Sequence, residues 1–132
     1  MYSKGFKERV VGMSEELSRL PPQVQERLLR FQQLQQTLQS VLTQKQQLEL
    51  ELTEVDQALD ELKNLGEDAV IYKSIGSLLV KVGKAKITED LKERRELLNM
   101  RISVLGRQEE RLRSQLKDLQ EKLQRDLRPV SP

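Results

Sequence analysis

The chain has 132 residues, of which 36% are hydrophobic and 3% aromatic, so it allows one domain with a thin core and a large surface. Charges are nearly balanced, with 23 basic against 21 acidic residues, which excludes the one-signed field typical of proteins that bind nucleic acid or anionic membranes. The absence of cysteine and histidine removes thiol nucleophiles, imidazole bases and the usual zinc ligands. We therefore predict no enzyme, no metal site and no cofactor.

Residues 1–20 carry a weak amphipathic pattern that Gly5 and Gly12 interrupt, and we predict a flexible N-terminal extension there. A membrane or partner anchor is the alternative for this stretch. It lacks the apolar core of a signal peptide, and no apolar run in the chain approaches the roughly 18 residues of a membrane-spanning helix. The sequence thus predicts a cytoplasmic protein that does not bind a membrane.

A first long helix is predicted over residues 22–64, because Pro22 suits a first helical turn and Gly66 falls where a C-cap belongs. Ten of its twelve heptad core positions are apolar, which indicates a coiled-coil seam rather than the stripe of a globular helix. The seam consists of Val24, Phe31, Leu38, Lys45, Leu52 and Leu59 at position a, and Arg27, Leu34, Val41, Leu48, Val55 and Leu62 at position d.

Residues 69–83 predict a β-hairpin closed by Gly76-Ser77, a two-residue turn with glycine first. Ile75 then faces Leu78 and Ile71 faces Val82, so one face is apolar at five of six positions. A lone two-stranded hairpin is marginal in water, and both of its edges are open to another chain. We expect it to pair with other chains; the alternative is that it folds back onto its own helices as a small α+β core.

A second helix is predicted over residues 88–126, with Thr88 as N-cap, and residues 128–132 form a C-terminal tail. Its leucines recur every seven residues in the same way. The seam consists of Leu91, Leu98, Leu105, Leu112, Leu119 and Asp126 at position d, and Thr88, Arg95, Ile102, Glu109, Leu116 and Leu123 at position a.

Two such helices joined by a hairpin predict a mostly α fold with a small β part, in which residues 21–127 form a long antiparallel two-helix coiled coil. Both chain ends then meet at one tip. The register also brings Lys45 within one layer of Glu109, so the two opposite charges either lock the register or extend to water, and both alternatives stay open.

The chain resembles the archaeal prefoldin beta subunit family over about Leu20 to Arg125. The resemblance is carried by Pro21-Pro22-Gln23-Val24-Gln25 at the front and by Ile71-Tyr72-Lys73-Ser74-Ile75-Gly76-Ser77-Leu78-Leu79-Val80-Lys81 in the middle. Gln44-Lys45, and Arg101-Ile102 with Leu105, Arg107, Gln108 and Glu109, add to it. Residues 1–19 depart from the family pattern.

The resemblance implies a hexamer of two alpha and four beta subunits whose hairpins join into intersubunit β-barrels. It also implies a chaperone that works without ATP, captures unfolded proteins at the coiled-coil tips, prevents their aggregation and delivers them to a group II chaperonin. The expected partners are therefore an alpha subunit, unfolded clients and the chaperonin. The residues expected to serve assembly are Ile71, Tyr72, Ile75, Gly76, Leu78, Leu79, Val80 and Val82.

The register suggests which residues bind the client. The seam weakens at the tip, where Arg27 and Asp126 hold core positions and leave apolar neighbours incompletely covered. Leu28, Leu127 and Val130 lie off the ideal seam and are favoured, whereas Phe31, Leu119 and Leu123 also close the coil. The full set of tip candidates is Val24, Leu28, Phe31, Leu119, Leu123, Leu127 and Val130.

Two other functions remain as alternatives. A coiled-coil scaffold or tethering protein would hold a fixed partner and ignore unfolded chains. A nucleic-acid binder has less support, although Lys81, Lys84, Lys86, Arg94 and Arg95 cluster near the hairpin.

Overall fold

The structure is a computed structural model that describes residues 18–128. Its elements are helix α1 (Pro22–Lys63), strand β1 (Ile71–Ile75), strand β2 (Leu78–Val82) and helix α2 (Lys84–Asp126). The fold is therefore mostly α with one antiparallel two-stranded sheet, as predicted. The described residues form two compact units: the terminal unit, residues 18–39 with 110–128, and the hairpin unit, residues 40–109. The predicted extension up to residue 17 and the tail from residue 129, including Val130, lie outside the described residues.

Helix α1 begins where the paired prolines predict. The backbone N–H groups of Val24 and Gln25 donate to the carbonyl of Pro21, at 3.0 and 3.1 Å, so Pro21 is the N-cap and Pro22 the first helical residue. The Gln25 side chain also donates to the Leu20 carbonyl at 2.7 Å, which fixes the direction in which the chain enters the helix.

Helix α1 ends at Lys63 without the glycine cap that the sequence suggests. Among the described glycines only Gly76 has a positive φ, so Gly66 does not adopt the left-handed conformation of a C-cap. The last turn instead tightens, with the Leu65 N–H donating to the Leu62 carbonyl at 3.2 Å. The Lys84 ammonium donates to the Leu65 carbonyl at 2.6 Å and thereby satisfies an acceptor just beyond the helix end.

Helix α2 begins at Lys84, so the predicted start near Thr88 is wrong by one helical turn. The Gly83 carbonyl accepts the first helical hydrogen bond, from the Ile87 N–H at 3.0 Å, which makes Gly83 the N-cap. Ala85 and Lys86 are good helix formers, so helical structure continues directly from strand β2. Thr88 lies inside the helix, where its buried hydroxyl oxygen has no hydrogen-bond partner.

The core of the described residues follows the predicted heptads. Every buried hydrophobic side chain lies at a predicted a or d position, and Leu98 at 0% exposure is the most completely buried. In the hairpin unit, Leu98 packs with Val55 and Leu59, and partly buried Leu91 joins this cluster. The buried hydrophobic residues are Val24, Leu34, Val41, Val55, Leu59, Leu62, Leu98 and Leu123.

Ion pairs between α1 and α2 show that the helices run antiparallel in the hairpin unit. Lys45 pairs with Glu109 at 3.1 Å, whereas Asp56, further along α1, pairs with Arg95, which comes earlier in α2. The predicted proximity of Lys45 and Glu109 is thus confirmed, with side-chain exposures of 28% and 18%. Their role in setting the register stays a prediction.

Candidate functional site

The hairpin forms in the predicted register. Ile71 pairs with Val82, Lys73 with Val80 and Ile75 with Leu78. Gly76 has a φ of +58°, and no described non-glycine residue has a positive φ, which matches a turn with glycine at its first central position. The turn chemistry therefore fixes which side chains share a face.

The hairpin exposes most of its apolar side chains in the single chain. Exposed fractions reach 72% for Leu79, 66% for Leu78 and 60% for Tyr72. Neither helix covers the turn end of the hairpin, which disfavours the small α+β core. Of the predicted assembly residues, Ile71 and Val82 are half-buried, and the exposed ones are Tyr72, Ile75, Gly76, Leu78, Leu79 and Val80.

The terminal unit closes with an ion pair at the two charged seam positions. Arg27 Nη1 contacts Asp126 Oδ2, and the two side chains are 28% and 23% exposed. Val24 and Leu123, which were tip candidates, are each 7% exposed and thus contribute to the closure of the coil. Phe31 and Leu119 are half-buried, as expected of residues that also close the seam.

Exposed leucines remain in the terminal unit outside the seam. Leu127 is 49% exposed, and Leu28 is half-buried. Leu29, which the sequence interpretation missed, is 57% exposed and lines a shallow cavity of about 240 Å³ together with Leu28. Its signal in the sequence is a large apolar residue at heptad position f, which faces away from the partner helix and is usually polar.

Basic residues near the hairpin are engaged by carboxylates. Arg94 Nη2 lies 2.6 Å from a Glu51 oxygen, and Lys86 Nζ lies 3.0 Å from an Asp90 oxygen. The hydrogen bond and the charge of Asp90 raise the pKa of the Lys86 ammonium above its ordinary value. These pairings neutralise much of the local positive charge that a polyanion would need.

Residues 18–128 offer little for a metal site or for a membrane-spanning helix. No group of three or more acidic side chains in this part of the chain is arranged to hold a metal ion. Neither of its helices is long and apolar enough to cross a bilayer.

The family of the chain follows from comparison with known proteins. The family model described as "Prefoldin subunit" matches residues 25–128, which include both helices almost completely and the whole hairpin. The chain belongs to the prefoldin family. Members of this family are chaperone subunits, so the chain is a prefoldin-type chaperone subunit.

Its curated relatives include archaeal prefoldin beta subunits. The chain is 47% identical over 115 residues to the prefoldin subunit beta of Thermococcus onnurineus, an alignment that covers 87% of this chain and 99% of the relative. It is 43% identical over 112 residues to that of Methanosarcina acetivorans, covering 85% of this chain and 96% of the relative.

Solved prefoldin structures have the same fold. The crystal structure of the prefoldin beta subunit from Thermococcus strain KS-1 matches with a TM-score of 0.76 at 48% identity, covering 84% of this chain and 97% of that one. The beta2 subunit from the same strain matches with a TM-score of 0.63 at 27% identity, covering 69% of this chain and 97% of that one.

Proposed function

We propose that the chain is a subunit of a hexameric, ATP-independent holdase in the cytoplasm, with two alpha and four beta subunits. It captures unfolded proteins through exposed leucines of its terminal unit, prevents their aggregation and delivers them to a group II chaperonin. The proposal rests on two features that occur together in one chain of the prefoldin family. The hairpin has apolar side chains that the helices leave uncovered, and the terminal unit of the coiled coil has exposed leucines.

Assembly through the hairpin is supported by the amount of apolar surface that it leaves in water. Full burial of a leucine or isoleucine side chain contributes about 1.5–3 kcal/mol. Ile75, Leu78 and Leu79 are 53%, 66% and 72% exposed, so covering them in an intersubunit β-barrel recovers a substantial part of that free energy. Strand pairing at the open edges of β1 and β2 would add backbone hydrogen bonds.

Client capture is supported by the leucines of the terminal unit. Leu28 and Leu29 line one shallow cavity, and Leu127 is about half exposed. A small, shallow apolar surface of this kind suits weak binding of many sequences, because it demands no particular shape. Affinity then comes from several subunits that engage one client together. Val24, Phe31, Leu119, Leu123 and Val130 remain further candidates for the same surface.

Light scattering during dilution of a chemically unfolded test protein checks the holdase activity. The chain is added alone and then with a matching alpha subunit, without nucleotide. We expect suppression of scattering that strengthens when a complex of hexameric mass forms. No suppression by either sample, despite a folded helical protein, would contradict the proposal and favour a scaffold with a fixed partner.

Variants of the terminal unit identify the capturing surface. Leu28→Ser, Leu29→Ser and Leu127→Ser combined should weaken suppression without changing the mass of the complex, because these side chains lie outside the hairpin. Leu65→Ser is the matched control, since Leu65 is 41% exposed but follows the end of α1 beside the hairpin. Equal suppression by the triple variant and the control would remove these leucines from the client site.

A further inference from the structure

The chain enters helix α1 along the face that carries Leu28 and Leu29. Ser18, the first residue that the structure describes, has a helical backbone conformation, and a turn separates it from α1. The Gln25 side chain reaches back over this turn and donates a hydrogen bond to the Ser18 carbonyl at 3.2 Å. Ser18 therefore lies beside the first turn of α1 and not beyond its end.

Ser18 and Gln25 also line the shallow cavity that holds Leu28 and Leu29. The cavity has a volume of about 240 Å³, and Gln32 completes its described lining. Small-molecule pockets usually have about 300–1,000 Å³, so this cavity suits a few apolar side chains better. Consecutive Cα atoms are about 3.8 Å apart, so the residues that precede Ser18 start at the edge of the cavity.

Residues 6–17 have apolar side chains at the spacing typical of one helix face. Four of them follow each other at steps of four, three and four residues. A helix this short is marginal on its own in water, and Gly12 weakens it further, so it needs a surface to pack on. We call these four residues the N-terminal stripe: Phe6, Val10, Met13 and Leu17.

An antiparallel course beside α1 would bring the N-terminal stripe to the cavity. With Ser18 held beside Gln25, each step back along the extension matches one step forward along α1, because a helix rises by about 1.5 Å per residue. Met13 lies five residues before Ser18 and thus comes within one residue of the level of Leu29. The N-terminal stripe then extends over both leucines of the cavity.

We propose that residues 6–17 fold back along α1 and cover Leu28 and Leu29, so that the N-terminal extension competes with unfolded clients for these leucines. The competition rests on the proposed function, because it requires that the leucines bind clients. A client then binds only the undocked state, and its apparent dissociation constant rises as the undocked fraction falls. Residues 1–19 depart from the family pattern, so this control is an addition to it.

Disulfide formation within one chain tests the docking, since the natural chain has no cysteine. Full-length Met13→Cys/Leu29→Cys is oxidised under mild conditions, and the denatured chains are separated by mass without reductant, so that an intrachain disulfide is distinguished from a linked dimer. Cysteine is itself a small apolar residue, so the two changes keep the contact apolar.

Met13→Cys/Arg30→Cys is the matched control. Arg30 is exposed and follows Leu29 directly, but it points about 100° further round the helix, away from the cavity. We expect the intrachain disulfide to form about tenfold faster in the Leu29 variant, because the bond requires Cα atoms within about 7 Å of each other. Equal rates in the two variants would overturn the docking.

Light scattering with an unfolded test protein measures the competition. Full-length Met13→Ser should reach half suppression at about half the concentration that the natural chain needs, because more molecules are undocked. Val11→Ser is the control, since Val11 belongs to the same extension but lies off the N-terminal stripe. Equal suppression by the two variants would overturn the competition. Weaker suppression by Met13→Ser would make the extension part of the client surface and overturn it as well.

The two measurements separate this proposal from the holdase activity. No suppression by any sample would overturn the holdase and the competition together, whereas the two disulfide rates would still decide the docking. If the combined Leu28→Ser, Leu29→Ser and Leu127→Ser variant weakens suppression while Met13→Ser behaves like the natural chain, the client surface stands and the competition is wrong.

Discussion

The ammonium of Lys45 lies 3.1 Å from a carboxylate oxygen of Glu109, so the polar a positions of the two helices meet each other. The side chains are only 28% and 18% exposed, and partial desolvation offsets much of their Coulomb attraction. A pair of this kind contributes little net stability. We expect it to disfavour a slip of one helix by a heptad, because the two opposite charges would then no longer face each other across the coil.

Replacing both residues should therefore raise stability and loosen the register. We expect Lys45→Leu/Glu109→Leu to unfold at a higher temperature than the natural chain, whereas Lys45→Leu alone should cost about 1–3 kcal/mol by removing the ammonium that faces the Glu109 carboxylate across the coil. Thermal unfolding by circular dichroism measures both effects, and a second set of leucine methyl signals in NMR spectra reports alternative registers. A double variant that is less stable than the natural chain would contradict this interpretation.

Leu98 is the side chain whose truncation should be most damaging. It is fully buried against Val55 and Leu59, so Leu98→Ala removes apolar contacts and leaves a cavity. We expect a loss of about 2–5 kcal/mol in the free energy of unfolding. Leu29→Ala is the control, because Leu29 is 57% exposed and its truncation should change the same quantity by less than about 0.5 kcal/mol. Urea unfolding is compared at one protein concentration, since assembly adds to the apparent stability.

The pKa of Lys86 should depend on Asp90. Their hydrogen bond and opposite charges stabilise the ammonium in the folded state and raise its pKa. This contribution to stability is fully present below the ordinary lysine pKa of 10.5 and is lost as pH rises through the raised folded value. We expect Asp90→Asn to lower the Lys86 pKa, measured by NMR titration, whereas Asp118→Asn should not. An unchanged pKa in Asp90→Asn would show that the pair does not form in solution.

Heptad spacing predicted the core well, because burial in a coiled coil is periodic. Each buried hydrophobic residue of the described chain, from Val24 to Leu123, was identifiable at a or d. The hairpin register could also be predicted from the sequence, because glycine at the first turn position fixes which flanking residues pair.

Capping and outward exposure were harder to predict. Gly83 caps α2 through its backbone carbonyl alone, which leaves no side-chain signature, whereas Thr88 has the side chain of an N-cap but lies inside the helix. Leu29 and Met100 are apolar at outward heptad positions, which are usually polar, so the heptad pattern did not predict them as exposed apolar residues. Such residues can be recognised in the sequence as large apolar side chains at heptad positions other than a and d.

Gly76 should be the residue on which the hairpin most depends. Its φ of +58° is strained for any residue with a β-carbon, although a β-carbon there would meet no atom within 4 Å. We therefore expect Gly76→Ala to cost about 1–2 kcal/mol through backbone conformation rather than through a clash. Gly76→Asn should cost less, because asparagine tolerates the left-handed region better than alanine. Amide hydrogen exchange of β1 and β2 and the mass of the complex measure the effect.

Gly66→Ala separates this effect from a general loss of glycine flexibility. Gly66 has no positive φ and also has open space around it, so alanine there should be neutral or stabilise the chain by up to about 1 kcal/mol. Because a lone two-stranded hairpin is only marginally stable and the proposed assembly uses it, we expect a cost of about 1–2 kcal/mol at Gly76 to shift the complex toward smaller species. If Gly76→Ala and Gly66→Ala assembled equally well, the turn conformation would not limit assembly, and pairing between chains alone would have to hold the strands in register.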